Sequence, residues 1–236
     1  MIVVAIETAT PQTSVAIGTE TGILAQASVA GRARQEAVVP ALEQLLRWSG
    51  TALTEVGGVA VGTGPGLFTG LRVGIETAKT LAQVLDLPVL GLSSLDALAF
   101  GVRHTARRIV AVMDGRRGEV FWSRYEPVHG GILRETEPVV AKPDHLVADL
   151  EAVPGDVLLV GDGAILYRHE IEQELGGRAE FASGAHAHPQ AAQLVELAAP
   201  RFLREEHDHL FDVVPVYLRK SDAEISWDQR ARGASS

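Results

Sequence analysis

Short apolar, β-branched runs at 2–7, 13–18 and 23–30 predict three opening strands, the first two joined by a turn at Pro11 and Gln12. The period then lengthens. Val38, Val39, Leu42, Leu45 and Leu46 share one face of a helix over 36–49, which places Pro40 in its first turn or at a bend. A strand at 58–62, a glycine-rich loop, a helix at 70–85, a strand at 88–92 and a short helix at 94–102 complete a β-β-β-α-β-α-β-α unit. Three further strands repeat the opening at 109–114, 119–125 and 131–140, with Gly115 to Gly118 as the first turn. A buried strand at 157–160 and an amphipathic helix at 189–204 follow. Glu7 and Asp114 both end a leading strand, which suggests a duplication. The pattern predicts two α/β domains with mixed sheets, 1–103 and a degraded 104–227. Helix 190–204 is free to pack back on the first domain, and 228–236 reads as a disordered tail with little apolar content.

The densest signal is GTGPGLFTGLRVGIETAKTLA, Gly62 to Ala82. Glycine permits close backbone approach, and a helix N-terminus offers free N–H groups, so a phosphate cradle is the first expectation. Neither standard phosphate motif fits. A P-loop ending at Lys79 needs glycine at Val73 and Ala78, and a dinucleotide fingerprint from Gly62 and Gly64 needs glycine at Leu67. Within the helix, Gly70, Gly74, Ala78 and Ala82 form an i, i+4 ridge of small side chains beside Leu71 and Ile75. Only Arg72, Glu76, Lys79 and Gln83 make a polar strip. So wide an apolar arc predicts cover on two sides, the helix's own sheet and a partner. The predicted contact comprises Gly70, Leu71, Gly74, Ile75, Ala78 and Ala82 with Val39, Leu42 and Leu46 of the preceding helix.

Charge narrows the classes. Net −9 over 236 residues argues against a protein that grips RNA alone. The clusters Arg103, Arg107, Arg108 and Arg116, Arg117 read as solvated loops. Absence of cysteine excludes disulfides and thiolate metal sites. No apolar run reaches membrane length, and the chain opens directly on a strand-like IVVAI, so no export signal, no membrane and a cytoplasmic location are expected. The pairs His186/His188 and His207/His209 fall in loop sequence and are read as solvated rather than as metal ligands.

Glu7 to Ile17 (ETATPQTSVAI), the Gly62 to Ala82 block, Leu87 to Ala99 (LPVLGLSSLDALA) and Pro215 to Arg219 (PVYLR) together resemble the bacterial tRNA threonylcarbamoyladenosine biosynthesis proteins of the TsaB family. The likeness covers most of the chain. Glu7 stands where that family usually has aspartate, and Leu67 where it often has serine. The resemblance implies two tandem ribonuclease-H-like domains of the actin, sugar kinase and Hsp70 fold group. It implies kinship with a catalytic paralogue, TsaD, whose HxxxH metal pair aligns with Ser94 and Leu98. Neither is an effective metal ligand. The resemblance therefore implies a non-catalytic subunit with no cofactor of its own. Its partners would be a TsaD-like enzyme, a TsaE-like ATPase and, when alone, a second copy, with tRNA met only indirectly and ATP or ADP at the complex interface. Two alternatives remain. Glu7, Thr8 and Asp114 could line an interdomain cleft of an independent nucleotide-dependent kinase, and relatives bearing HxxxH have carried a metallopeptidase label.

Overall fold

The computed structural model describes residues 1–31 and 36–219; the expected disordered tail lies outside the described residues. Strands β1 (Ile2–Glu7), β2 (Gln12–Thr19) and β3 (Gly22–Ala30) form an antiparallel meander. After α1 (Val38–Ser49), whose first turn holds Pro40, β4 (Val56–Gly64) pairs in parallel with β1. Helix α2 (Phe68–Leu85) leads to β5 (Val89–Ser93), parallel to β4, and then to α3 (Ser94–Gly101). The first sheet therefore runs β3-β2-β1-β4-β5.

The second sheet repeats that order. Strands β6 (Arg108–Arg116) and β7 (Glu119–Val128) form a hairpin, with β8 (Gly131–Arg134) and β9 (Val139–Ala141) both laid against β7. Helix α4 (Pro143–Glu151) precedes β10 (Val157–Val160), which is parallel to β6. Short helices α5 (Asp162–Leu166) and α6 (Arg168–Leu175) lead to β11 (Ala179–Phe181), and the order is β11-β10-β6-β7-β8. The single strand expected at 131–140 is thus two. The Ser123 hydroxyl donates to the Thr136 carbonyl at 2.6 Å, and the Arg124 N–H donates to the Thr136 hydroxyl at 3.0 Å. These bonds mark the break between β8 and β9 at Thr136, while the Glu135 N–H still donates to the Arg124 carbonyl at 2.8 Å.

Alternation along the central strands sorts the core. Val4, Ile6, Val15 and Ile17 point to the side covered by α1 and α2, while Val3, Ala5 and Ala16 point to α7 (Ala191–Leu203). That last helix buries Leu194, Val195, Ala198 and Phe202 on the first sheet, although it follows the second in sequence. On the second sheet, Val110, Val112 and Trp122 meet α4 and α6, and Ile109, Ala111 and Met113 face the first half. Asp96 at the start of α3 ties the halves together. It accepts the Tyr125 hydroxyl at 2.8 Å and a two-oxygen contact from Arg134 Nη2 at 2.6 Å.

Helix α7 begins on a cross-sheet cap. Ser14 Oγ of β2 accepts the Ala191 N–H at 3.0 Å, while also accepting the Ser28 hydroxyl at 3.2 Å. A buried N-terminal amide left unpaired is costly, so Ser14→Ala is expected to lower stability by about 1 kcal/mol. A urea titration checks this; a midpoint equal to wild type would show that the cap is dispensable.

Candidate functional site

Strands β1 and β4 are parallel neighbours whose next connections diverge, one to β2 and the other through α2 to β5. The crevice at the carboxyl ends of such a pair is where open α/β sheets place ligands. Here both sequence signals converge, since β1 ends at Glu7 and β4 runs into the glycine loop.

The crevice is filled by the chain's own groups. Glu7 is fully buried. Its carboxylate accepts the Ala9 N–H at 2.7 Å and the Ser94 hydroxyl at 2.8 Å. Burial pushes its pKa up to about 7, against the opposing pull of the Ala9 N–H, the Ser94 hydroxyl and the Thr8 N–H. Gly62 is a glycine for this reason, because an added Cβ would land on the Glu7 carboxylate. The loop is braced from the other side by the Leu67 N–H, which donates to the Ala9 carbonyl at 2.7 Å. The Ala9 and Leu67 N–H groups are thereby engaged within the chain. The arrangement offers a dry, near-neutral carboxyl group rather than an anion cradle.

Glu7 is fully buried, so it presents no carboxylate to an open cleft opposite Asp114. Glu7 and Asp114 share no hydrogen-bond partner. Asp114 Oδ1 accepts the Arg116 N–H at 2.8 Å, and its Oδ2 pairs with Arg116 Nη1 at 2.9 Å. Its own N–H donates to Asp162 Oδ1 at 2.9 Å. Burial pushes Asp162 up, and also pushes down His188, whose Nδ1 lies 3.7 Å from Asp162 Oδ2. Thr8 is buried and donates its hydroxyl to the Gly70 carbonyl at 2.8 Å, so it lines no cleft either. Ser93 caps the start of α3, its hydroxyl accepting the Asp96 N–H at 3.4 Å. Ser94 points inward to Glu7, and Leu98 is buried with a methyl group against Gly161. Arg103, Arg107 and Arg108 pair with Glu196, Glu180 and Glu135.

The small-residue ridge needs correcting. Gly70, Leu71, Gly74, Ile75, Ala78 and Ala82 are all buried within this chain, as is Leu42 of α1. At Gly74 an added Cβ would land on the Thr8 hydroxyl, so close approach serves the strand-end turn after β1 and not a second molecule. Leu46 is half-buried. Of the predicted contact residues only Val39 is well exposed, at 60%, and it is joined by Trp48 at 68% and, on α2, Val84 at 76%. They stand singly, Val39 and Trp48 nine residues apart on opposite flanks of α1 and Val84 on the outer side of α2. Periodicity placed Trp48 off the apolar face of α1, and Val84, although counted in the wide apolar arc of α2, was not among the predicted contact residues.

No helix among the described residues is long and apolar enough to cross a membrane. Residues 19–227 match the family model of TsaD, tRNA N6-adenosine threonylcarbamoyltransferase. The chain is 33% identical over 231 residues to the tRNA threonylcarbamoyladenosine biosynthesis protein TsaB of Escherichia coli (strain K12), covering 96% of this chain and 97% of that one. It is 33% identical over 193 residues to the protein of the same name from Bacillus subtilis (strain 168), with 80% and 81% covered. Its structure matches YeaZ from Pseudomonas aeruginosa with a TM-score of 0.79 at 30% identity, over 92% of this chain and 99% of that chain. A ROK hexokinase from Thermus thermophilus, with a TM-score of 0.51 at 15% identity over 87% of this chain and all of that one, shares the fold alone. With its repeated sheets of actin-like ATPase type and this near full-length identity, the chain belongs to the TsaB family of tRNA threonylcarbamoyladenosine biosynthesis proteins.

Proposed function

We propose that this chain serves tRNA threonylcarbamoyladenosine biosynthesis as a non-catalytic subunit that pairs with a TsaD-like transferase. Ser94 and Leu98 carry the reading: at the two positions aligned with the paralogue's metal pair, one side chain is a hydroxyl engaged by Glu7 and the other a buried hydrocarbon. Such a pair cannot hold a metal that polarises an acyl group. The chain then has no cofactor of its own, and ATP or ADP belongs to the interface with the enzyme. A TsaE-like ATPase joins the assembly, tRNA is met through the enzyme, and a second copy occupies the partner face when the enzyme is absent. The setting is cytoplasmic.

The partner face in this reading is the outer surface of α1 and α2 around Val39, Trp48 and Val84 rather than the buried ridge. Val84→Glu is expected to weaken the complex with a TsaD-like subunit about tenfold by isothermal titration, with the unfolding midpoint of the isolated chain unchanged. Reconstitution with TsaD-like and TsaE-like subunits, tRNA and an activated threonylcarbamoyl donor tests the role. The full set should modify tRNA, and omission of this chain should abolish it. Transfer by this chain alone would overturn the reading, and hydrolysis of ATP by the chain alone would favour a kinase instead.

A further inference from the structure

The chain leaving α7 runs through residues 205–219 without regular structure, yet it is pinned at four places. The Asp208 N–H donates to the Val89 carbonyl at 2.9 Å, and Asp208 Oδ2 accepts the Gly91 N–H at 2.8 Å, which closes the edge of β5. Val213 is buried beneath it. The Val216 N–H donates to the Thr63 carbonyl, near the end of β4, at 2.8 Å. Tyr217 stacks on Phe68 with centroids 5.0 Å apart, and its hydroxyl accepts from Arg72 Nε at 3.1 Å. The Arg72 guanidinium lies 3.9 Å over the Phe68 ring. Finally, Arg219 Nη1 donates to the Gly115 carbonyl at 3.1 Å and to Glu119 Oε2 at 2.8 Å. The Pro215 to Arg219 motif therefore touches the end of β4, the first turn of α2 and the β6–β7 hairpin in succession.

Both ends of this path need outside support. Helix α2 starts at Leu67 with no side-chain cap and no acidic residue in its first turn, and the loop leading into it is rich in glycine. The β6–β7 turn places two residues other than glycine in the left-handed region, Arg116 at φ 63° and Arg117 at φ 56°. That region costs an L-residue free energy, and Asp114 meets part of the need by accepting the Arg116 N–H at 2.8 Å. Arg219 grips the carbonyl that immediately precedes this pair.

We propose that residues 216–219 form a positioning clasp, in which Arg219 anchors on the β6–β7 hairpin and thereby holds Tyr217 against Phe68 and Arg72. The first turn of α2 is then fixed in part by a contact made in the second half of the molecule. Tyr217 and Arg219 are positioning residues, acting through α2. Where α2 belongs to the partner face, a clause that rests on the proposed function, the clasp also tunes partner affinity from a distance.

Hydrogen exchange of the isolated full chain tests the clasp directly. Arg219→Ala is expected to speed exchange about tenfold at residues 68–72 as well as at 115–119, with β1 amides unchanged. Tyr217→Ala should loosen both segments as well. Arg219→Lys should restore both, because an ammonium can reach the same carbonyl and carboxylate. Wild-type exchange at 68–72 in Arg219→Ala would overturn the clasp. So would equal acceleration at β1, which would mean general destabilisation. Titration of Arg219→Ala with a TsaD-like subunit is the second arm, with affinity expected to fall about fivefold. Loosened exchange with unchanged affinity would uphold the clasp and overturn α2 as the partner face.

Discussion

Replacing Gly74 by leucine is expected to destabilise the fold by about 3 kcal/mol, the upper part of the range for overpacking a filled core. Four carbons would enter where α2 lies against the turn after β1, with the Thr8 hydroxyl directly in their path. The bond from Thr8 to the Gly70 carbonyl, 2.8 Å long, would break as the helix moved away, and the buried Thr8 hydroxyl would lose its partner. A ridge that met a partner would give the opposite pattern, a stable monomer with weakened association. Urea unfolding and sedimentation of Gly74→Leu therefore distinguish the two. A wild-type unfolding midpoint would mean that α2 does not pack as described.

Glu7 is expected to make stability fall as pH rises. Its carboxyl titrates at about 7 in the folded chain against an ordinary 4.5, with burial as the largest cause. A raised folded pKa means that the native state holds the proton more tightly than the unfolded state. Its full contribution is present below about pH 4.5, declines through the interval and is lost above about pH 7. That shift corresponds to about 3 kcal/mol. Glu7→Gln keeps an acceptor for the Ala9 N–H without the ionisation, and its amide N–H turns the Ser94 hydroxyl from donor to acceptor. The variant should match wild type near pH 4.5 and exceed it by about 3 kcal/mol above pH 8. Denaturant midpoints measured across this range decide the matter, and parallel pH profiles for the two proteins would sink the idea.

Local pattern made the opening meander, α2 and the strand ends legible, because alternation and i, i+4 spacing state which residues share a face. What covers that face is a different question. Gly70, Gly74, Ala78 and Ala82 are collinear as expected, but the turn at Thr8 and Ala9 that covers part of the ridge lies some sixty residues away in sequence. Helix α4 went unread because its apolar face is only Leu146, Val147 and Leu150, behind a proline start. The strand expected at 131–140 concealed its break because Val139 and Val140 look continuous with Ile132 and Leu133, whereas the inward turn of Thr136 depends on Ser123. At the site, Glu7 at a strand end reads as a solvated carboxylate. Its burial needs the glycine at position 62 and the hydroxyl at position 94, which only the tertiary fold assembles.

The position of α7 has a consequence for synthesis on the ribosome. Domains usually complete themselves in order of emergence, at about 5–20 residues per second. Here the last strand of the first sheet ends at Ser93, but the helix that covers its second face begins at Ala191. Val3, Ala5, Ala16, Ala60 and Leu90 must therefore wait uncovered for roughly a hundred further residues, about 5–20 s, while the second sheet is made. During that interval the nascent chain presents a flat apolar surface of mostly small side chains, well suited to a chaperone and equally to another nascent chain. Translation that stalls between β6 and α6 should accordingly yield aggregation-prone fragments, whereas release after residue 203 should not.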